Sequence, residues 1–349
     1  MDQVANSPAE ERAALFGETA ARMEGIASPV IPEKDFWVCF TLRRLFTLDF
    51  KPSLLFKGGT SLSKAFGLID RFSEDIDLTL NRSDLGFGGE NDPAAIDSRK
   101  ARQRQIEKLT KACRQAVRER LVPAFRASIE AVIGSDGWAL EIHDKDDGQV
   151  DLHLRYPQGL SSSDYGGLTY IPPVVRMEIG ARSDQEPAQR VSIASYAAEH
   201  FPDLFEEPGT EVLVLAPERT FWEKVTIFHA EFFRPYAEGA PEPPAWKQLS
   251  RHAYDIVMMA RRGIADLALA RPDLLAKVAD HKDTFFHRGW ARYKTAVPGS
   301  LHLVPGRELT AALRRDYSAM APMFFGEVPD FDEMVQVLGE LEERINSAT

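Results

Sequence analysis

Residues 56–80 read FKGGTSLSKAFGLIDRFSEDIDLTL. The apolar run Leu54-Leu55-Phe56 ends at Gly58-Gly59, which predicts a strand, a tight turn and a helix from Thr60 to Phe66, with Thr60 or Ser61 as its cap and Gly67 at its end. From Ser73 to Leu80, the apolar Ile76, Leu78 and Leu80 alternate with Asp75, Asp77 and Thr79, the two-residue period of a half-buried strand. One face packs and the other presents carboxylates. Ionised acids held this close need a cation or a proton to compensate them. Magnesium or manganese does so through carboxylates together with the oxygens of a substrate phosphate. Glycine backbone at the mouth of a helix is a matching anion cradle. Each half alone is weak, because Asp-x-Asp on a strand is commonly a solvated edge and a double glycine is commonly just a turn.

Working outward, the chain from Pro8 to about Phe46 reads as two helices, and the stretch from Asn81 to Asp97 as a loop. A long helix is expected from about Ser98 to Ile133, with Ile106, Leu109, Cys113 and Val117 on one stripe. The segments from Trp138 to His143 and from Val150 to Tyr156 flank Asp144-Lys145-Asp146-Asp147-Gly148, a hairpin pattern. From Val174 to Gly180 the apolar Val175, Met177 and Ile179 alternate with Arg176 and Glu178, which makes a third strand carrying an acid. From Pro217 onward the pattern is helical, interrupted by a proline-rich loop over residues 235–244. The expected class is α/β (α+β), with a mixed sheet in residues 1–215 and a mainly helical domain in residues 216–349.

The 349 residues carry 42 Lys and Arg against 53 Asp and Glu, a formal charge of -11, which excludes a surface coated in positive potential for nucleic acid. Charge is nonetheless segregated: nine cations against two glutamates lie between Arg99 and Arg120. Arg99, Lys100, Arg102, Arg104, Lys108, Lys111, Arg114 and Arg118 are the candidates to meet a phosphate backbone, the alternative being a solvated helix face. Cys39 and Cys113 are too few for a zinc site or a disulfide scaffold and are expected as buried free thiols in a reducing compartment. His143, His153 and His252 read as structural or surface groups rather than ligands. The acidic start MDQVANSPAEERAALF and the lack of a membrane-length apolar run point to a cytoplasmic protein. Neither a Walker A motif nor a Gly-x-Ser-x-Gly elbow occurs.

In the order strand, Gly-Gly-Thr, helix, strand with Asp-x-Asp, residues 56–80 resemble the polymerase-beta-type nucleotidyltransferase superfamily. Lys57-Gly58-Gly59-Thr60-x-Leu62, followed by Arg71-Phe72-Ser73-Glu74-Asp75-Ile76-Asp77-Leu78, resembles the AbiEii/AbiGii toxin family, which includes the MenT toxins. Glu218-Arg219-Thr220-Phe221-Trp222-Glu223-Lys224 is similar to that family's helical lysine motif, and Arg251-His252-Ala253-Tyr254-Asp255-Ile256 to its R-x-x-x-D segment. The resemblance spans roughly residues 50–260.

It implies that Asp75 and Asp77 hold magnesium or manganese with a third acid on a later strand, where Glu178 matches and Asp151 and Glu141 are rivals. Lys57, Gly58, Gly59, Thr60 and Ser73 fall at the nucleotide and phosphate positions, although Lys57 and Arg71 also read as ordinary exposed charges and Ser73 as a local hydrogen-bonding group. Lys224, from the helical domain, is expected to face the acids and bind triphosphate oxygens, or else to be a surface lysine in an i, i+4 pair. Asp255 is expected in the same cleft, to orient Lys224, accept a proton from the attacking hydroxyl, or pair with Arg251 one turn away.

The implied activity is transfer of a nucleoside monophosphate from an NTP to RNA, with the tRNA acceptor end foremost, by a toxin of a toxin–antitoxin or phage-defence system with a cognate antitoxin. Two alternatives remain open at this point. One is the same site acting on a protein or small-molecule hydroxyl, and the other is a non-catalytic nucleotide-binding regulator.

Overall fold

The computed structural model describes residues 1–348 apart from 27, 146–147, 166–171, 238–241, 244–245 and 327. The chain divides into two compact units, Met1–Ala65 with Phe72–Leu215, and Phe66–Arg71 with Ala216–Thr349.

In the first unit the strands are β1 (Leu54–Lys57), β2 (Ile76–Leu80), β3 (Ala139–Asp144), β4 (Val150–Arg155), β5 (Val174–Gly180), β6 (Ala188–Ala194) and β7 (Gly209–Leu215). They form one sheet in the order β3-β4-β5-β2-β1-β7-β6. The sheet is mixed: β2 runs parallel to β5 and β1 parallel to β7, while the other neighbours are antiparallel. Alternation does its expected work, since Ile76, Leu78, Leu152, Leu154, Met177 and Ile179 are all buried on one face. The helix Val30–Phe46 packs against β5 and β7, with Phe36, Trp37 and Phe40 fully buried. Trp37 stacks on Tyr156 at a ring separation of 5.4 Å.

Local differences from the sequence reading have physical causes. The short helix is Gly58–Lys64 and begins directly at the end of β1 without a separate turn, so Thr60 and Ser61 lie inside it rather than capping it. Strand β2 begins at Ile76, which leaves Asp75 one residue ahead of the ladder. The long basic helix is two helices, Arg99–Ala116 and Val122–Ile133, joined by a π-helical turn over Val117–Leu121. Pro123 offers no backbone N–H, so the regular bond pattern cannot pass through it. Strands β6 and β7 have no counterpart in the sequence reading. Asp146 and Asp147, in the expected hairpin turn, lie outside the described residues, as does part of the proline-rich loop. Cys39 and Cys113 are free and buried, and burial raises both thiols, that of Cys113 to about 12.

The second unit is helical. Pro217–Phe232, Ser250–Arg261, Ile264–Leu269, Pro272–Phe285, Arg307–Ala319 and Phe331–Ser347 bury Phe221, Trp222, Tyr254, Val257 and Leu338 among them. The excursion Phe66–Arg71 is tied in by an Arg71–Phe324 bridge, by the Asp70 amide donating to the Tyr254 hydroxyl at 3.1 Å, and by Arg262 donating to both Asp70 oxygens. Among the described residues no helix is long and apolar enough to cross a membrane.

Candidate active site

Strand register builds the acid cluster. Cross-strand pairing sets Lys57 beside Asp77, Asp77 beside Glu178, Glu178 beside Asp151 and Asp151 beside His143. Paired residues share a face, so a polar row crosses five strands opposite the buried apolar face. Neighbouring strands are about 4.8 Å apart, and two like charges at that spacing repel by about 3 kcal/mol at an effective dielectric near 20. Partial compensation comes from within. Arg176, two residues before Glu178, lies 3.0 Å from Asp151 Oδ2, 3.6 Å from Glu178 Oε1 and 3.9 Å from Asp75 Oδ1. Lys145 Nζ lies 2.6 Å from Glu178 Oε1 and 3.6 Å from Asp151 Oδ2. Burial alone would raise the Asp151 carboxyl, but the bond from Arg176 and the charges of Arg176 and Lys145 hold it below the usual range. Burial alone would lower Lys145, and Glu178 and Asp151 outweigh it and raise the ammonium. Among the described residues no cation lies within ion-pair distance of Asp77.

The Gly58 backbone, at the start of the short helix, is packed against Asp77. Gly58 has φ +83°, and a Cβ built on it would sit 2.0 Å from Asp77 Oδ2. Only glycine tolerates both the left-handed backbone and that approach. Thr60 is fully buried; its hydroxyl donates to the Asp75 carbonyl at 2.6 Å and lies 2.9 Å from Ser73 Oγ. Ser61 Oγ donates to the Gly58 carbonyl at 2.8 Å. Thr60 and Ser73 therefore shape the backbone that carries Asp75, while Lys57 is half-buried at the end of β1.

In the helical unit, Lys224 and Asp255 belong to a buried charged network. Arg71 Nε and Nη2 donate to the two Asp255 oxygens at 2.8 and 2.9 Å, and Lys224 Nζ lies 2.9 Å from Asp255 Oδ2. Neither of the bland readings of these residues holds: Lys224 and Arg71 are buried rather than exposed, and Asp255 pairs with Arg71 and Lys224 instead of Arg251. Burial alone would raise the Asp255 carboxyl, but Arg71 and Lys224 drive it far below the usual range, so it is a poor proton acceptor. Burial lowers Lys224, with Asp255 opposing. His252 Nδ1 lies 3.1 Å from Lys224 Nζ, and burial followed by the Lys224 charge keeps the ring neutral.

A family profile described as "Nucleotidyl transferase AbiEii toxin, Type IV TA system" matches residues 41–337. The chain belongs to this AbiEii toxin family. It is thus a nucleotidyltransferase toxin of a type IV toxin–antitoxin system, with an NTP as substrate and an antitoxin as its system partner. MenT4, a nucleotidyltransferase toxin from Mycobacterium tuberculosis H37Rv, is similar over 96% of this AbiEii chain and 97% of its own, at 15% identity and a TM-score of 0.43. Comparison with curated proteins gives no match.

Nucleotidyltransferases generally use a divalent metal, and the acid row of this family member fits one. Four carboxylates (Asp75, Asp77, Glu178, Asp151) share the face with three cations (Lys57, Arg176, Lys145), a surplus of one negative charge. The Asp151 Oδ1 atom is buried without a hydrogen-bond partner. An all-oxygen set suits magnesium or manganese. Asp75, Asp77 and Glu178 would hold it, with rival Asp151 next in the row and Glu141 further away on β3.

Sequence reasoning missed Arg176 and Lys145, whose spacing to acids on other strands becomes visible only through the register. It also missed Lys34, which is 1% exposed and binds Glu74 Oε2 at 2.8 Å, next to Asp75. Arg99, Lys100, Arg104, Lys108, Lys111 and Arg118 are exposed along the basic segment, with Arg102 and Arg114 partly buried. Arg102 is bound to the Ile96 carbonyl, Arg114 to the Lys145 carbonyl and Arg118 to Asp144.

Proposed function

We propose that this enzyme transfers a nucleoside monophosphate from an NTP to a hydroxyl of RNA, at the tRNA acceptor end, with magnesium or manganese bound to Asp75, Asp77 and Glu178. The reading rests on one observation: Asp77 is paired with Glu178 on a parallel strand while its carboxylate lies against the Gly58 backbone. The acceptor hydroxyl attacks the α-phosphorus in line; one P–O bond forms as the bond to the β-phosphate oxygen breaks, pyrophosphate leaves and the hydroxyl proton passes to solvent. The bound metal would supply charge stabilisation to the phosphates. Asp75, Asp77 and Glu178 would be the residues that hold it. Lys57, Gly58, Gly59, Thr60 and Ser73 form the nucleotide-side support, with Thr60 acting through the Asp75 backbone. Lys224, oriented by Asp255, offers its ammonium to triphosphate oxygens. RNA as acceptor, in a cytoplasmic setting, is favoured by the exposed cations Arg99, Lys100, Arg104, Lys108 and Lys111 in a chain of charge -11. The regulator alternative is set aside by family membership.

The test is incubation of purified protein with each labelled NTP, magnesium and total bacterial RNA, with Asp77→Ala as control. Label is expected on small RNA, absent from the control, and weakened by Lys108→Glu with Lys111→Glu in a salt-dependent way. Label on protein or a small molecule instead would overturn the RNA assignment, and label that persists in Asp77→Ala would overturn the site.

A further inference from the structure

At the sheet edge beyond the acid row, the outer hairpin gathers two imidazoles and a carboxylate. Glu141 and His143 are two residues apart on β3, the edge strand, and His153 on β4 is the direct cross-strand partner of Glu141. Residues so related share one face of a ladder whose backbone hydrogen bonds fix their spacing. Their donor atoms all lie within 4.8 Å of one another, and the two imidazole centroids are 4.5 Å apart. Arg155 Nε donates to Glu141 Oε1 at 2.9 Å, which leaves Oε2 directed at His143, 3.5 Å from its Nε2. His153 Nε2 is buried and makes no well-aligned hydrogen bond, although it lies within ion-pair distance of Asp151 Oδ2, at 3.4 Å. A buried ring nitrogen held only by a long carboxylate contact is open to a better-placed ligand.

We propose that Glu141, His143 and His153 form a tridentate site for a zinc-class transition-metal ion, separate from the carboxylate set that serves nucleotide transfer. The donor chemistry separates the two: two imidazoles and one carboxylate suit zinc, whereas magnesium and manganese favour the oxygens of the acid row. Metal–donor bonds of roughly 2.0–2.2 Å at a tetrahedral centre put donors about 3.4 Å apart, so side-chain rotations of about 1 Å close the present spread without moving the strands. Arg155 orients the carboxylate as an outer-sphere partner does at established sites. Three protein donors leave the fourth position to water or a bound molecule. The ion would fasten edge strand β3 to β4, which also carries Asp151 of the acid row. His252 shows the contrast, since its ring nitrogen lies 3.1 Å from the Lys224 ammonium, surroundings that repel a metal ion.

The experiment uses the full chain freed of metal by chelation and titrated calorimetrically with zinc chloride. Cobalt chloride follows in parallel by its visible absorption, which intensifies on tetrahedral binding. The wild type is expected to take up one equivalent saturably, with the tetrahedral cobalt bands. His143→Ala, at a half-exposed position, and Glu141→Gln should bind at least about 100-fold more weakly, beyond what loss of an outer-sphere partner costs. His153→Gln should do the same, and urea unfolding checks that each variant folds; if His153→Gln does not, His143→Ala carries the test. Asp77→Ala should bind zinc as the wild type does, which keeps this result independent of the transfer reaction. Uptake unchanged in His143→Ala, uptake lost in Asp77→Ala, or no saturable site in the wild type would each overturn the proposal.

Discussion

Replacing Gly58 by alanine tests how tightly the start of the short helix is packed against Asp77. With φ at +83°, an added Cβ would lie 2.0 Å from Asp77 Oδ2, 2.9 Å from its Cγ and 3.1 Å from its Cβ. The left-handed backbone costs an L residue about 1–2 kcal/mol. Relieving the overlap adds about 1–3 kcal/mol, for a total near 2–5 kcal/mol. Ordinary contact requires the Asp77 carboxylate to retreat by at least about 1 Å, and a misplacement of that size at a reacting centre costs about 100-fold in rate. Gly67→Ala is the internal control, because Gly67 has φ +59° but nothing within 4 Å of the added carbon. It should lose only the backbone component, about 1–2 kcal/mol, and keep its activity. Urea unfolding reads the stabilities, and label transfer to RNA at a temperature where both variants are folded reads the activities. Gly58→Ala within about 0.5 kcal/mol of Gly67→Ala, with transfer within about threefold of wild type, would refute the close approach and with it the derived rate penalty.

Asp255→Asn should cost about 3–5 kcal/mol at neutral pH by leaving Arg71 and Lys224 buried without their counter-charge. Because those two cations hold the folded carboxyl far below the usual range despite burial, its contribution is complete above the unfolded value of about 3.9 and is lost as pH falls below it. Urea unfolding should therefore show a gap between wild type and variant that is flat from about pH 8 to 5 and narrows below about pH 4; narrowing within the upper range would contradict this. Lys145→Ala should tighten manganese binding several-fold, since the ammonium 2.6 Å from Glu178 competes with the ion for the same oxygens. Calorimetric titration showing weaker binding would mean that Lys145 supports the metal instead.

Legibility in the sequence followed the length scale of each interaction. Alternation over Ile76, Leu78 and Leu80 marks a strand because every second side chain must find the core, and β3, β4 and β5 fall within a residue of the expected segments for the same reason. Strand β6 has no such signal: Arg190 and Gln189 are exposed and only Ile193 is fully buried, so its place depends on pairing with β7. At the site, Asp75 and Asp77 are visible because they are two residues apart. The neighbour of Asp77 across the ladder is Glu178, 101 positions later, and only register can supply it. Arg71 shows the converse, a charge whose burial and pairing with Asp255 arise from contacts 184 residues apart.

The least legible element is the support of the acids, which lies in a helix that sequence reasoning treats as ordinary. Glu33-Lys34-Asp35 is a run of three charges, yet all three are 2% exposed or less. Each has a partner: Glu33 accepts from the Gly159 amide and the Tyr165 hydroxyl, and Asp35 accepts from the Tyr196 amide and pairs with Lys64 at 2.8 Å. Lys34 is the informative one. Its Nζ reaches Glu74, the residue before Asp75, and donates to the carbonyls of Pro172, at 2.6 Å, and Val174. One buried ammonium thus joins the segment that presents Asp75 to the start of β5, the strand that presents Arg176 and Glu178. Two of its hydrogen bonds go to the start of β5, and its charge is paired with Glu74. A methionine at position 34 would fill similar volume but could hold neither, leaving Glu74 buried without its cation. The β2–β5 register that brings Asp75 near Glu178 is therefore braced by a residue some forty positions before Asp75.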